Sequence, residues 1–162
     1  MESYRNKICT IENAKKNCDT LRNSGERIVF TNGCFDILHP GHTRYLFSAR
    51  DLGDFLMVGL NSDRSVRAIK GNKRPIFKEQ MRAELLASLE CVDGVVIFDE
   101  DNPLRVIKCL RPHILVKGGD WRENQIIGAD EVKANGGEIR RIPFVDGYST
   151  SDIIKKIVHR YA

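Results

Sequence analysis

Residues 27–42 read RIVFTNGCFDILHPGH, an apolar run followed by a glycine turn and the start of a helical pattern. The run at 27–31 is rich in β-branched and aromatic residues, which favours a buried strand. Gly33 permits a tight turn and exposes backbone N–H groups, and Gly41 allows a close approach of the backbone. Because a strand, a turn and a helix in this order begin a βαβ unit, the stretch predicts a parallel sheet.

The same alternation continues along the chain. Further apolar runs with β-branched residues predict strands at 55–60, 95–98, 114–117 and 138–144. Helical spacing predicts helices at 11–21, 42–52, 78–89, 103–110, 127–135 and 151–161. Thr10 is the expected N-cap of the first helix, and Gly25 lies beyond its end. The expected fold is α/β, a doubly wound, Rossmann-like parallel sheet of about five strands with helices on both faces.

Length and composition indicate one globular unit. The chain has 162 residues, of which 41% are hydrophobic and 30% charged, values typical of a globular protein with its own core. We expect a single domain over 1–162, with an N-terminal helix inside 1–25 and the α/β core at 26–162. No apolar run approaches the roughly 20 residues that cross a bilayer, and the N-terminus is too polar for a signal peptide. A cytoplasmic location is therefore expected.

Cysteines and charge exclude several classes of site. The five cysteines are scattered and none forms a CxxC pair, so we expect reduced thiols rather than a zinc site or a disulfide framework. The net charge is +4, and most basic residues are interleaved with acidic ones. This distribution favours a local anion site over a nucleic-acid surface.

Two histidines stand where the first long helix begins. His39 and His42 are three residues apart at a helix N-terminus, which favours anions, so both imidazoles can face one phosphate group. The alternative is that His39 caps the helix and His42 lies on the surface. Because a strand and a glycine turn precede the pair, we interpret both histidines as catalytic.

A basic segment follows the second predicted strand. Asn61 lies at the end of that strand, and Lys70, Lys73 and Arg74 lie on a glycine-containing loop that can fold over phosphates. Such cations can neutralise the charge that builds on a leaving pyrophosphate, so Lys70 is assigned to the catalytic set. Asn61, and Arg82 on the following helix, are candidates for substrate contact. The alternative is that these basic side chains are solvated on the surface and bind no ligand.

The fourth predicted strand ends in a glycine pair. In the sequence VKGGDW at 116–121, Lys117, Gly118 and Gly119 can bring backbone amides and carbonyls to a ribose or a base edge. Asp120 can accept a hydrogen bond from a ribose hydroxyl. The residue that follows, Trp121, is interpreted either as a core residue or as a residue at the rim of the site.

The last helix is preceded by small hydroxyl residues. Ser149, Thr150 and Ser151 can bind phosphate at a helix N-terminus, but the same residue types are ordinary N-caps. From the residues alone the capping role is preferred.

The stretch at 33–42, GCFDILHPGH, resembles the signature of the HxGH nucleotidyltransferases, and in particular their cytidylyltransferase-like branch. The resemblance implies that His39 and His42 touch a nucleoside triphosphate. It also implies that the backbone near Cys34 and Phe35 lines the nucleotide site and that Asp36 positions this loop or the nucleotide and its metal. The neighbouring residues Asn32, Gly33 and Gly41 are assigned to nucleotide binding with them.

The resemblance also changes the interpretation of the last helix. The cytidylyltransferase-like branch carries a Ser-Thr-Ser or Ser-Thr-Thr element that closes on the nucleotide phosphates, and 149–151 match it. The resemblance therefore implies phosphate binding by these residues, in addition to capping.

Within this branch, the elements at 32–39, 70–75, 116–120 and 135–138 resemble the adenylyltransferase module that makes ADP-heptose. The implied reaction transfers AMP from ATP to D-glycero-β-D-manno-heptose 1-phosphate and releases pyrophosphate. The implied cofactor is Mg²⁺, carried by ATP rather than by a protein metal site. The implied partners are small-molecule substrates and further copies of the chain in a dimer or larger homo-oligomer, with no nucleic acid and no membrane.

Two alternatives remain open. The segments at 148–154 and 119–121 are also similar to glycerol-3-phosphate cytidylyltransferases, which predicts CTP and glycerol 3-phosphate or a similar alcohol phosphate. An alternative of another class is a non-catalytic, nucleotide-binding regulatory module.

Overall fold

Six parallel strands form the centre of the structure, a computed structural model that describes residues 4–119, 121–143 and 147–161. The strands are β1 (Ile8–Cys9), β2 (Ile28–Gly33), β3 (Phe55–Asn61), β4 (Gly94–Phe98), β5 (Ile114–Gly118) and β6 (Glu138–Ile142). They lie in the order β1-β4-β3-β2-β5-β6, and every neighbouring pair is parallel. The α/β fold predicted from the sequence is confirmed.

Helices connect the strands and cover both faces of the sheet. They are α1 (Ile11–Asn23), α2 (Pro40–Arg50), α3 (Asp63–Lys70), α4 (Glu79–Ala87), α5 (Leu104–Leu110), α6 (Ala129–Ala134) and α7 (Thr150–Tyr161). None of the helices in the described ranges is long and apolar enough to cross a membrane. Thr10 is the N-cap of α1, as predicted, and its side chain accepts a hydrogen bond from the Asn13 N–H at 3.3 Å.

Alternate residues of the central strands enter two separate cores. Val29 faces a core shared with Leu46 of α2 and Leu86 of α4, whereas its neighbour Phe30 faces a core shared with α1, α5 and α6. Because successive side chains of a strand point to opposite faces, a strand buried on both sides is apolar without interruption. This is why the central strands are visible in the sequence as apolar runs.

The order of the strands reverses between β2 and β5. The chain leaves β2 for β3 and β4 on one side of it, and then crosses back to β5 on the other side. The connections that leave the carboxyl ends of β2 and β5 therefore diverge and open a crevice between them, which is where ligands bind in folds of this kind.

Two elements lie outside the sequence prediction. The edge strand β1 has only two residues, too few to give a periodic signal. Helix α3 lies between Asn61 and the predicted basic loop and includes Lys70 as its last residue, and its N-cap Ser62 accepts a hydrogen bond from the Ser65 N–H at 3.1 Å. It has eight residues, of which only Ser65 and Val66 are buried, so few apolar positions mark it in the sequence.

Some predicted boundaries also change. The helix predicted at 127–135 begins only at Ala129, because Gly128 adopts a left-handed conformation with a φ of 90°. The strand predicted to reach residue 144 ends at Ile142, and Phe144 lies outside the described residues. Helix α7 carries no buried residue, and Ile157 and Val158 are about half exposed.

Candidate active site

A cavity of about 770 Å³ opens at the carboxyl edge of the sheet, over the crevice between β2 and β5. It brings together four segments that are far apart in the chain: the loop after β2, the end of α3 with the loop that follows it, the end of β5, and the start of α7. The predicted residues that line it are Asn32, Gly33, Cys34, Phe35, Asp36, His39, Gly41, His42, Asn61, Lys70, Arg74, Lys117, Gly118, Ser149, Thr150 and Ser151. A second cavity of about 930 Å³ lies beside β1 and the start of α1 and contains none of them.

Some predicted site residues lie elsewhere. The side chain of Lys73 is exposed and does not line the cavity, whereas Lys70 at the end of α3 and Arg74 on the following loop do. Gly119 is buried behind the cavity wall, where its N–H donates to the Ile142 carbonyl at 2.9 Å. Asp120 lies outside the described residues.

The two signature histidines are stacked on each other. Their ring centroids are 3.8 Å apart and their planes are inclined by 19°. His39 occupies the N-cap position of α2 but its side chain makes no capping hydrogen bond, and His42 is partly buried. The alternative of a capping His39 and a surface His42 therefore does not describe this pair.

Both imidazoles are held in the neutral form. Burial, and to a smaller extent the neighbouring His39, lowers the pKa of His42 to about 4. Burial also lowers the pKa of His39. The Nδ1 atoms of both rings are buried and have no hydrogen-bond partner among the described residues. A neutral imidazole can donate one hydrogen bond to a phosphate oxygen, and the anion would in turn raise the pKa of the ring.

Gly41 lets two segments of the site meet. A Cβ atom at this position would lie 3.0 Å from the His39 ring and 3.0 Å from the Tyr148 Cβ. The Tyr148 ring in turn lies 6.3 Å from the His39 ring, with the planes inclined by 16°. The close approach expected at Gly41 is thus between the start of α2 and the segment that leads into α7.

Asp36 organises the basic loop. Its carboxylate is buried and accepts hydrogen bonds from the Arg74 Nε at 2.5 Å, the Ile76 N–H at 2.8 Å and the Phe77 N–H at 2.9 Å. Burial opposes ionisation of this carboxyl, but the backbone donors of Phe77 and Ile76, together with Arg74, lower its pKa. Asp36 therefore acts on the site by fixing the loop that carries Arg74.

The structure corrects the expectation that Arg82 contacts the substrate. Its side chain is fully buried and does not line the cavity. The guanidinium donates to the carbonyls of Phe77, Cys34 and Asn61 at 2.9, 2.6 and 2.8 Å and to the Asp63 carboxylate at 2.8 Å. Because its hydrogen bonds are made inside the protein, Arg82 supports the wall of the site from behind.

Lys117 and Asn32 lie side by side in the crevice. Lys117 is on β5 and Asn32 is on β2, and the Lys117 Nζ donates to the Asn32 Oδ1. Burial lowers the pKa of Lys117 to about 8, since the ammonium gives up part of its hydration.

The three hydroxyl residues at the start of α7 all line the cavity, and one of them also caps the helix. Ser149 is the cap: its Oγ accepts from the Asp152 N–H at 3.1 Å and lies 2.9 Å from the Asp152 Oδ2. Thr150 and Ser151 line the cavity from the first turn of the helix.

The remaining candidates have structural or peripheral positions. Burial raises the pKa of the Cys34 thiol, which disfavours the thiolate that a nucleophile requires. His113 accepts a hydrogen bond from the Ile28 N–H at 2.9 Å, and His159 is exposed. Trp121 lies at the rim of the cavity and is 51% exposed.

Sequence reasoning missed one wall of the cavity. Asp101, Asn102 and Pro103 line it from the connection after β4, and Ile126 and Ile127 add an apolar surface near Trp121. The rule that ligands meet the loops after parallel strands could have identified the first group. Among the described residues, no group of three or more His, Cys, Asp or Glu side chains could hold a metal ion.

Comparisons with known proteins agree on one family. A cytidylyltransferase-like family model matches residues 30–156. The chain is 56% identical over 138 residues to a bifunctional protein HldE from Pelobacter propionicus, an alignment that covers 85% of this chain and 28% of the relative. It is 51% identical over 158 residues to the protein of the same name from Syntrophotalea carbinolica, with 98% and 32% covered. The chain thus spans about a third of the length of these curated relatives.

Solved structures give the same fold. A lipopolysaccharide core biosynthesis protein from Thermoplasma volcanium is 29% identical, with a TM-score of 0.60 over 77% of this chain and 100% of that one. A pantoate-beta-alanine ligase from Francisella tularensis is 14% identical, has a TM-score of 0.60 and covers 94% of this chain, a likeness of fold alone. Since the family model covers most of the chain, from β2 to α7, the chain belongs to the cytidylyltransferase-like family.

Proposed function

We propose that this chain transfers AMP from ATP to D-glycero-β-D-manno-heptose 1-phosphate, giving ADP-heptose and pyrophosphate. The observation that carries the nucleotidyl transfer is the cavity itself, where the histidine pair, Lys70 and Arg74, the end of β5 and the start of α7 meet. Each of these segments is suited to phosphate or nucleotide on its own, and the fold assembles all of them at one crevice.

The chemistry requires alignment more than base catalysis. A phosphate monoester has a second pKa of about 6, so the acceptor is largely a dianion at neutral pH and attacks without help from a strong base. The site then has to align the acceptor with the α-phosphorus and stabilise charge on the transferring group and on pyrophosphate. The neutral imidazoles of His39 and His42 would donate hydrogen bonds to the transferring phosphate, and Lys70 and Arg74 would neutralise pyrophosphate.

The cofactor in this proposal is Mg²⁺ that arrives on ATP. Its ligands would be phosphate oxygens and water, since Mg²⁺ commonly keeps several waters when it binds with a nucleotide. We further propose that the chain acts in the cytoplasm, in a dimer or larger homo-oligomer, on small-molecule substrates alone.

The choice of ATP and a heptose phosphate rests on two kinds of support. The motifs at 32–39, 70–75 and 116–120 resemble the ADP-heptose module, and two relatives above 50% identity are named bifunctional protein HldE. A relative of known structure, at 29% identity, is described as a lipopolysaccharide core biosynthesis protein.

Pyrophosphate release with each substrate pair tests the proposal. We expect kcat/KM for ATP with heptose 1-phosphate to exceed that for CTP with glycerol 3-phosphate, measured side by side on the same preparation. The reverse order would replace the ADP-heptose assignment by the cytidylyltransferase alternative. Nucleotide binding without pyrophosphate release from any pair would favour the non-catalytic module.

A further inference from the structure

The pair formed by Lys117 and Asn32 occupies the point where the strand order reverses. Asn32 is the penultimate residue of β2 and Lys117 the penultimate residue of β5, and these two strands are neighbours in the sheet. Both side chains line the cavity. They therefore form the floor of the crevice that the diverging connections leave open.

The Lys117 ammonium lacks a charged partner. Its one hydrogen bond within the described part of the chain is to the Asn32 amide oxygen, which is neutral. The nearby arginines differ in this respect: Arg74, which lines the cavity, is paired with Asp36, and Arg82, behind its wall, is paired with Asp63. Removing an ammonium from water without an opposite charge is unfavourable, and burial accordingly lowers the pKa of Lys117. An anion that enters the crevice would relieve this cost.

We infer that Lys117, oriented by Asn32, is a phosphate-binding residue at the floor of the crevice and recognises a phosphate oxygen of a substrate rather than the base or the ribose. An ammonium only donates hydrogen bonds and carries a full charge, so a phosphate oxygen satisfies both properties at once. The inference rests on the proposed function for the identity of the substrates, and the phosphate belongs either to ATP or to the acceptor sugar.

Two variants remove or compensate the Lys117 charge. Lys117→Met keeps the length of the side chain and deletes the ammonium. Asn32→Asp keeps the ammonium and gives it a carboxylate partner inside the protein, which competes with an incoming anion. Lys16→Met is the matched control, because Lys16 is exposed on α1 and lines neither cavity.

Calorimetric titration with ATP, with adenosine and with D-glycero-β-D-manno-heptose 1-phosphate measures separately how each variant binds phosphorylated and unphosphorylated ligands. We expect both variants to bind ATP or the sugar phosphate about tenfold or more weakly than the wild type, the loss expected for a hydrogen bond to a charged group. The ligand whose affinity falls identifies the source of the phosphate. Adenosine should bind both variants as it binds the wild type, and the control should match the wild type throughout.

Three results would overturn the inference: wild-type affinities of Lys117→Met for both phosphorylated ligands, wild-type affinities of Asn32→Asp, or an equal loss for adenosine and ATP. Thermal unfolding of each variant shows whether it is folded. Because affinities are read without turnover, this experiment remains informative if no substrate pair releases pyrophosphate, a result that would instead contradict the proposed function.

Discussion

The stacked imidazoles are the residues on which the proposed chemistry depends most directly. Their rings lie 3.8 Å apart, and their Nδ1 atoms have no partner in the described part of the chain. Burial lowers the pKa of both rings, and the neighbouring His39 lowers that of His42 further, so in the free protein both contribute as neutral hydrogen-bond donors.

Replacement of His42 by alanine should reduce turnover by about 10²-fold or more, because the transferring phosphate would lose a positioned donor. The fold should persist, since the ring is only partly buried at the cavity and belongs to neither hydrophobic core. Pyrophosphate release measures the rate and thermal unfolding checks the fold. Near-normal turnover in a folded variant would remove His42 from the catalytic set.

The lowered pKa of His42 also predicts a pH dependence of stability. Its pKa of 6.5 in the unfolded chain falls to about 4 in the folded protein, so between these values the unfolded state binds more protons. Stability should therefore decrease as the pH falls from about 6.5 to about 4, by on the order of 3 kcal/mol from this residue.

Urea unfolding of the free protein at a series of pH values measures this effect. His113 and His39 also have lowered pKa values and contribute in the same direction, so the wild type alone does not isolate His42. The variant His42→Asn should lose less stability over the same window than the wild type. Identical slopes for the two proteins would mean that His42 is not held neutral.

At the scale of the element, capping and phosphate binding can be tested on different residues at the start of helix α7. All three hydroxyl residues line the cavity, but only Ser149 caps the helix, through the Asp152 N–H. The helix carries no buried residue, so its stability depends more than that of the other helices on its cap and its neighbours.

Alanine variants of Ser149 and Thr150 should therefore differ. Ser149→Ala should cost about 1 kcal/mol of helix stability, seen as faster amide hydrogen exchange along α7. Thr150→Ala should leave exchange unchanged and weaken ATP binding about tenfold, measured by calorimetry. If Thr150→Ala binds ATP as tightly as the wild type, the residues at 149–151 have only a structural role.

At the scale of the whole molecule, Arg82 joins segments that meet only in the folded chain. It connects the loop after β2, the end of β3, the start of α3 and the approach to α4 through one buried guanidinium. The loops that carry the candidate site are thus tied to the core of the sheet by a residue that never reaches the cavity.

Arg82→Ala should lower the free energy of unfolding by about 3–5 kcal/mol, because it leaves buried carbonyl groups and the Asp63 carboxylate without their partner. Arg140→Ala is the control: Arg140 forms an exposed ion pair with Glu138 at 3.0 Å, whose loss should cost less than about 1 kcal/mol. Urea unfolding of both variants gives the two values. Equal costs would show that burial of the Arg82 network adds nothing to stability.

The sequence by itself determined the class of fold and the segments of the site. Central parallel strands are buried on both faces, so β2, β3, β4 and β5 are marked by continuous apolar runs. The histidine pair and the glycine turn before it are adjacent in the chain, so local spacing was enough to select them. Helix α3 and the two-residue strand β1 were not predicted, because each has too few buried apolar residues to mark it in the sequence.

Only the tertiary structure determined whether each polar side chain lines the cavity or is buried inside the protein. Arg74 and Arg82 have the same side chain and were both candidates for the site, yet one lines the cavity and the other is buried behind it. Likewise, the neighbourhood of Lys117 and Asn32 depends on the pairing of β2 with β5, which lie more than eighty residues apart. Contacts between distant segments follow from strand order and packing, and local sequence patterns do not contain that information.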